Sequence, residues 1–207
     1  MSNINLHLGD CLEAMKEMPD NTYDLAIVDP PYGIGAENHA GKKENGWTQW
    51  VKKDWDKAIP TAEYWQELFR VSKNQIVWGG NYMTEYLPPK MGWIVWDKGQ
   101  RDFSLADGEL AWTSFDKAMR IFTYARAKAL QEGKIHPTQK PVKLYEWILD
   151  KYAKEGDKIL DTHLGSGSIA IACHNRKFDL DAWEIDEEYY NNAVERLDTH
   201  KSQLTMF

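Results

Sequence analysis

The chain alternates between short apolar runs and longer segments whose apolar residues recur every three or four positions. Ile4-Asn5-Leu6-His7-Leu8 alternates as a strand does. Tyr23 to Val28 is an apolar, partly β-branched run that predicts a buried strand. Gln75 to Trp78, Gly92 to Trp96, the residues before Asp161 and Leu180 to Trp183 predict further strands. Helical spacing covers Leu12, Met15 and Met18, then Tyr64, Leu68 and Val71 within Ala62 to Val71. It returns from Leu144 to Tyr152 with Pro141 in the first turn, over Ile169 to Cys173, and from Tyr189 to Leu197 behind a cap at Asp186. Between Arg101 and Glu132 the pattern weakens; Met119 to Tyr124 fits a strand and Ala125 to Leu130 a short helix. Strands alternating with helices predict an α/β fold.

Open α/β sheets place their ligands at the carboxyl ends of strands. Two such ends stand out. The first is Val28-Asp29-Pro30-Pro31-Tyr32-Gly33. Two prolines lack backbone N–H groups, fix their own φ and push Asp29 out of helical geometry. A stiff loop then presents a carboxylate, free carbonyls and a ring, which suits a flat group bearing –NH2. The plain alternative is a turn that stops a strand. The second is Asp161-Thr162-His163-Leu164-Gly165-Ser166-Gly167-Ser168, a strand end and glycine turn before a helix. Such a turn lets backbone approach a ligand at a helix N-terminus. Glu184 lies 19 residues after Gly165, a spacing suited to ribose hydroxyls. Alone, this pair indicates a nucleoside-type ligand or a structural tight turn. Asp10, after the first strand, is either a helix cap or an acid at a strand end.

Length 207 predicts one domain, and a fused nuclease is not expected. There are ten tryptophans, eight of them between Trp47 and Trp112; about half are expected in the core and the rest suit stacking on flat partners. The formal charge is −7, so a nucleic-acid partner must meet a local patch. Thr113 to Lys143 holds seven Lys/Arg and two acids, either a solvated face or a phosphate-contacting surface. The long segment 33–60 interleaves Lys42, Lys43, Lys52 and Lys53 with Trp47, Trp50 and Trp55; it is either a nucleic-acid contact or a lid. Cys11 and Cys173 make no metal spacing and the histidines no zinc pairing, so no metal is implied. The lack of a signal peptide or a bilayer-length apolar run predicts a reduced cytoplasmic setting.

Five stretches together resemble the amino-methylating DNA methyltransferases, the N6-adenine/N4-cytosine family. They are Gly9-Asp10-Cys11, Asp29-Pro30-Pro31-Tyr32, His136-Pro137-Thr138-Gln139-Lys140-Pro141, Asp161 to Ser168, and Trp183-Glu184-Ile185-Asp186. The target motif precedes the glycine turn, as in the permuted beta-type order, and the chain is similar to small phage or prophage members. The resemblance implies an S-adenosylmethionine-dependent, Rossmann-like methyltransferase fold, with a mixed seven-stranded sheet and helices on both faces. It implies that Asp29, Pro30, Pro31 and Tyr32 are catalytic. Asp29 and the Pro30 carbonyl would bind the target amine, and Tyr32 would stack on the base. It assigns the cofactor to Asp10, Cys11, Thr138, Gln139, Lys140, Asp161, His163, Gly165, Ser166, Gly167, Ser168, Glu184 and Ile185. Double-stranded DNA would be held by Lys42, Lys43, Trp47, Lys52, Lys53, Lys117, Arg120 and Arg126, with target-recognition insertions at about 33–60 and 98–135. His163 stands where the family usually has an aromatic, which puts contacts to the methionine part in question. Asp at the first position of Asp-Pro-Pro-Tyr favours adenine N6 over cytosine N4. Gln203-Leu204-Thr205-Met206-Phe207 resembles the peptide that docks bacterial proteins on the DNA sliding clamp; the alternative is a frayed tail.

Three other readings compete. A nucleotide-binding oxidoreductase uses the same glycine turn but leaves Asp-Pro-Pro-Tyr unexplained. A binding module without catalysis fits poorly with intact Asp29 and Tyr32. RNA or a protein amide offers a similar planar nitrogen.

Overall fold

In order the elements are β1 (Ile4–Leu8), α1 (Cys11–Lys16), β2 (Leu25–Val28), α2 (Ala62–Val71), β3 (Gln75–Trp78), β4 (Trp93–Asp97), β5 (Gly108–Thr113) and β6 (Arg120–Thr123). Then follow α3 (Arg126–Gln131), α4 (Val142–Tyr152), β7 (Lys158–Asp161), α5 (Ser168–Arg176), β8 (Asp179–Glu184) and α6 (Glu187–Leu204). They come from a computed structural model that describes residues 2–35, 56–101, 106–131 and 138–204.

The strands form one sheet of order β1-β8-β7-β2-β3-β5-β4-β6. β1, β8, β7, β2 and β3 are mutually parallel; β5 runs antiparallel to both β3 and β4, and β4 is parallel to β6. The described sheet has eight strands, not seven. The extra one is β5, Gly-Glu-Leu-Ala-Trp-Thr. Its buried residues are the consecutive Ala111, Trp112 and Thr113, so it shows no simple alternation.

Successive residues of β2 point to opposite faces. Leu25 and Ile27 join a core with Leu144 and Ile148 of α4, Ile169 of α5 and Leu197 of α6. Ala26 and Val28 join a second core with Met15 of α1 and Tyr64, Trp65, Leu68 and Val71 of α2. Helices therefore cover both faces, and β2 is buried throughout. Among the described residues Trp65, Trp78, Trp96, Trp112 and Trp183 are buried, five of seven tryptophans. No helix among the described residues is long and apolar enough to cross a membrane.

The order of the sheet matters for the site. β2 and β7 are far apart in sequence yet adjacent and parallel. Their carboxyl ends therefore bring Asp29 and the glycine turn together.

Candidate active site

Asp29 leaves the end of β2 with its carboxylate only part-exposed. Oδ1 accepts from the Tyr32 hydroxyl at 2.6 Å, and Oδ2 accepts from the Lys140 ammonium. The Lys140 side chain is 1% exposed and its Nζ also lies 3.3 Å from Glu109 Oε2 and 3.4 Å from the Tyr32 hydroxyl. Two carboxylates hold that ammonium charged against the cost of burial, and its pKa lies above the ordinary lysine value. Burial, with Asp29 and Glu109 next, pushes the Tyr32 phenol well above its usual range, so it stays a donor.

The loop after β2 is fixed by a residue the sequence did not single out. Asp56, 1% exposed, accepts from the Tyr32 N–H at 2.6 Å and the Gly33 N–H at 2.9 Å through one oxygen. The Tyr32 ring stacks on Tyr82 at 5.2 Å and 18°. Gly79, after β3, has φ +66° and backs onto the same ring; an added Cβ would fall inside the Tyr32 ring surface. Gly79→Ala is therefore expected to displace Tyr32 and cut kcat about 100-fold. Cofactor affinity should stay within about threefold, since Gly79 does not line the cleft below. Calorimetry beside a turnover assay checks this; unchanged kcat would contradict it.

A cleft of about 220 Å³ runs between the two strand ends. Its lining brings together Asp29, Pro31, Thr138, Gln139, Lys140 and His163 with Gly165, Ser166, Ser168, Glu184 and Ile185. Tyr145 and Tyr189, read from the sequence only as helix-face residues, line it as well. Asp10, Cys11, Pro30, Tyr32, Asp161 and Gly167 are not in its lining. Asp10 acts as the cap of α1, accepting from the Leu12 N–H at 2.8 Å. Gly167 has φ +72°, and an added Cβ would stand 3.0 Å from Ala193 of α6. Its smallness serves helix packing rather than the cleft.

Glu184 organises the glycine turn. Oε2 accepts from the Gly165 N–H at 2.8 Å and Oε1 from the Asp186 N–H at 3.0 Å. From behind, Arg196 donates to the Ser166 carbonyl and Ser168 hydroxyl, both at 2.9 Å. His163 packs edge-on to Tyr64 at 5.6 Å, and its Nδ1 meets the Thr162 hydroxyl at 2.8 Å. Burial pulls its pKa down to about 4, so at neutral pH it is an uncharged planar ring.

Asp161 is pushed the other way, up to about 8, mainly by burial; the His163 N–H bond opposes the rise, while Asp29 and Glu184 add to it. The folded chain thus keeps a proton that the unfolded chain releases, and stability falls as pH rises towards about 8. The buried neutral His163 acts oppositely, but only between about 4 and the ordinary histidine value of 6.5. Asp161→Asn should therefore raise the melting temperature, with a gain that grows from pH 6.5 to 8. A pH-independent difference in thermal melts would contradict this.

The basic candidates divide. Lys117 lies over Phe115 and Tyr152, each at 5.1 Å. Arg120 pairs with Ile94 at the amino end of β4, whereas Asp97 and Thr123 mark the end near Asp29. The structure therefore does not bring Lys117 and Arg120 to the cleft, and Lys140 is buried inside it rather than facing solvent. Lys42, Lys43, Trp47, Lys52, Lys53, His136, Pro137, Thr205, Met206 and Phe207 lie outside the described residues, as does the Arg126 side chain.

Residues 77–195 match the DNA methylase family N6_N4_Mtase. The type II methyltransferase M.HpaI of Haemophilus parainfluenzae is 27% identical, across 92% of this chain and 73% of its own. The type II methyltransferase M.HinfI of Haemophilus influenzae is 25% identical, across 91% and 67%. Among solved structures, the M1.HpyAVI–SAM complex superposes with a TM-score of 0.63 at 20% identity, covering 94% of this chain and 100% of that one. The cytosine-N4-specific PvuII DNA methyltransferase also gives 0.63, at 12% identity over 98% and 91%. These structural likenesses concern the fold. The family match spans more than half of the sequence, from β3 into α6, and takes in the glycine turn and Glu184. This chain belongs to the N6/N4 family of DNA methyltransferases.

Proposed function

We propose that this DNA methyltransferase methylates adenine N6, holding a flipped base at Asp29-Pro30-Pro31-Tyr32 beside an S-adenosylmethionine cleft. The observation that carries the reading is the run of adjacent parallel strands β2, β7 and β8, whose carboxyl ends bring Asp29, the glycine turn and Glu184 into the lining of one cleft.

The cleft fits that cofactor. Its glycine turn opens at the N-terminus of α5, His163 supplies an uncharged ring, and Glu184 supplies acceptors for ribose hydroxyls. Thr138, Gln139, Ser166 and Ser168 are the residues for the methionine end, with Ile185 at the nucleoside end. When bound, S-adenosylmethionine supplies an electrophilic sulfonium methyl.

An exocyclic base amine is a poor nucleophile because its lone pair is spread into the ring. Asp29 and the Pro30 carbonyl accept its two N–H bonds, which favours a pyramidal nitrogen with a localised lone pair. Orientation supplies most of the acceleration. The Asp29 carboxylate offsets the positive charge that grows on nitrogen. Tyr32 stacks on the base once it has left the duplex. No covalent base adduct is needed: burial pushes the Cys11 thiol up to about 12 and raises that of Cys173 too.

Segments 33–60 and 98–135 serve as target-recognition insertions in a single domain. The order of target strand before cofactor strand supports the permuted beta-type arrangement. Cytosine N4 is the second reading, since its amine offers the same two N–H bonds. The experiment is digestion of DNA methylated by the protein, with the nucleosides identified by mass. N6-methyladenine is expected; N4-methylcytosine alone would overturn the choice of base.

Residues 203–207 are the proposed sliding-clamp peptide. Deleting them should abolish clamp pull-down and leave methylation of short duplexes unchanged. Clamp binding that survives the deletion would refute the assignment.

A further inference from the structure

Both oxygens of Asp29 are already occupied. The Tyr32 hydroxyl takes one and the Lys140 ammonium the other. Each oxygen can still accept a second bond, but a buried cation drawn up on Oδ2 weakens it as an acceptor for an incoming amine. That cation has a second carboxylate within reach: Glu109 Oε2 lies 3.3 Å from Lys140 Nζ. Glu109 is the second residue of β5, the strand whose pattern was least legible, and belongs to none of the motifs above. Its other oxygen is held at 2.7 Å by Lys98, which follows β4 and lies 5.1 Å over the Trp96 ring. The Trp78 ring lies 5.0 Å from the Lys140 ammonium. Glu109 is thus anchored by Lys98 and faces the same ammonium as Asp29.

We propose that Glu109 is a positioning residue for methyl transfer: it shares the Lys140 ammonium with Asp29 and draws it aside when the target amine binds. The inference rests on the amine-binding role assigned to Asp29. Removing a buried ammonium from all partners would be costly, whereas passing it between two carboxylates keeps it paired throughout. The amine then gains Asp29 Oδ2 without leaving an unpaired buried charge. Without the charge of Glu109, the ammonium settles on Asp29 and weakens it as an acceptor.

Glu109→Gln in the full chain tests this by two readouts. The first uses ligand-free protein with 13C-labelled lysine. The Lys140 ε-CH2 resonance, identified by its loss in Lys140→Arg, should shift in Glu109→Gln; an unmoved resonance overturns the sharing. The second is turnover on unmethylated genomic DNA. Glu109→Gln should lower kcat about tenfold or more while the Kd for S-adenosylmethionine stays within about twofold. Glu109→Asp, which restores the charge, should recover part of the loss. Wild-type kcat in Glu109→Gln overturns the positioning role and leaves the methyltransferase reading standing. A wild-type protein that methylates no base amine overturns the reading of Asp29; the resonance then still decides whether the ammonium is shared.

Discussion

Asp29→Ala is expected to lower kcat for DNA methylation by about a thousandfold or more, with S-adenosylmethionine affinity within about threefold of wild type. Pro30 and Pro31 offer no N–H groups, so the backbone of the two prolines presents acceptors only. Removing the carboxylate takes away the acceptor that localises the lone pair and the charge that offsets the developing cation. Alanine also strips Lys140 of one of its two carboxylates, leaving Glu109 alone. Breaking a buried ion pair costs about 3 kcal/mol, so the variant should melt earlier as well. Asp29→Asn keeps the shape and one acceptor oxygen but, like alanine, removes the charge that Lys140 pairs with. It should also melt earlier than wild type, with Glu109 still facing the ammonium, and lose most of its turnover. Normal kcat in the asparagine variant would show that the carboxylate is not needed.

Glu184→Ala should weaken S-adenosylmethionine binding by about 100-fold or more. Glu184 is 9% exposed, and both its oxygens hold backbone donors that shape the turn: the Gly165 N–H at 2.8 Å and the Asp186 N–H at 3.0 Å. Each such bond to an ionised acceptor is worth about 1.5–3 kcal/mol. Burial raises its pKa, while those same backbone bonds pull the value back down. Losing the side chain frees the turn and removes the acceptors proposed for ribose. Isothermal calorimetry on the variant, with circular dichroism to confirm folding, gives the answer. A Kd within about threefold of wild type would remove Glu184 from the cofactor site.

Much of this arrangement was legible in the chain, for identifiable reasons. Helix α2 follows the spacing of Tyr64, Leu68 and Val71, because a two-sided environment imposes a clean period. Asp29 and Glu184 could be placed because each directly follows or closes an apolar run, and strand ends carry ligands in open sheets. The cap role of Asp10 was legible as one of two options, and the structure shows it made. What could not be read were partners distant in sequence. Nothing near Asp56 signals that it would reach back to the N–H groups of Tyr32 and Gly33. Glu109 lies on β5, where Ala111, Trp112 and Thr113 are all buried and alternation fails. Lys140 was assigned to the cofactor site and also counted in a basic segment; it lines the cleft, but nothing in the sequence signals the two carboxylates, distant in the chain, that pair with it there. Charge runs report composition, whereas burial depends on what the fold sets opposite them. Nothing in the sequence shows why position 79 must be glycine; the requirement comes from the Tyr32 ring packed against it.

The central claim is that the residues after β2 present a base amine to a methyl donor held beside β7. Its most direct measurement is transfer of labelled methyl from S-adenosylmethionine to unmethylated duplex DNA. Wild type and Asp29→Asn would be assayed side by side, with cofactor binding measured in the same preparations. The account predicts label in DNA with wild type, little with the variant, and equal cofactor affinity in both. Equal labelling by the two proteins, or no labelling by a wild type that binds the cofactor, would contradict it.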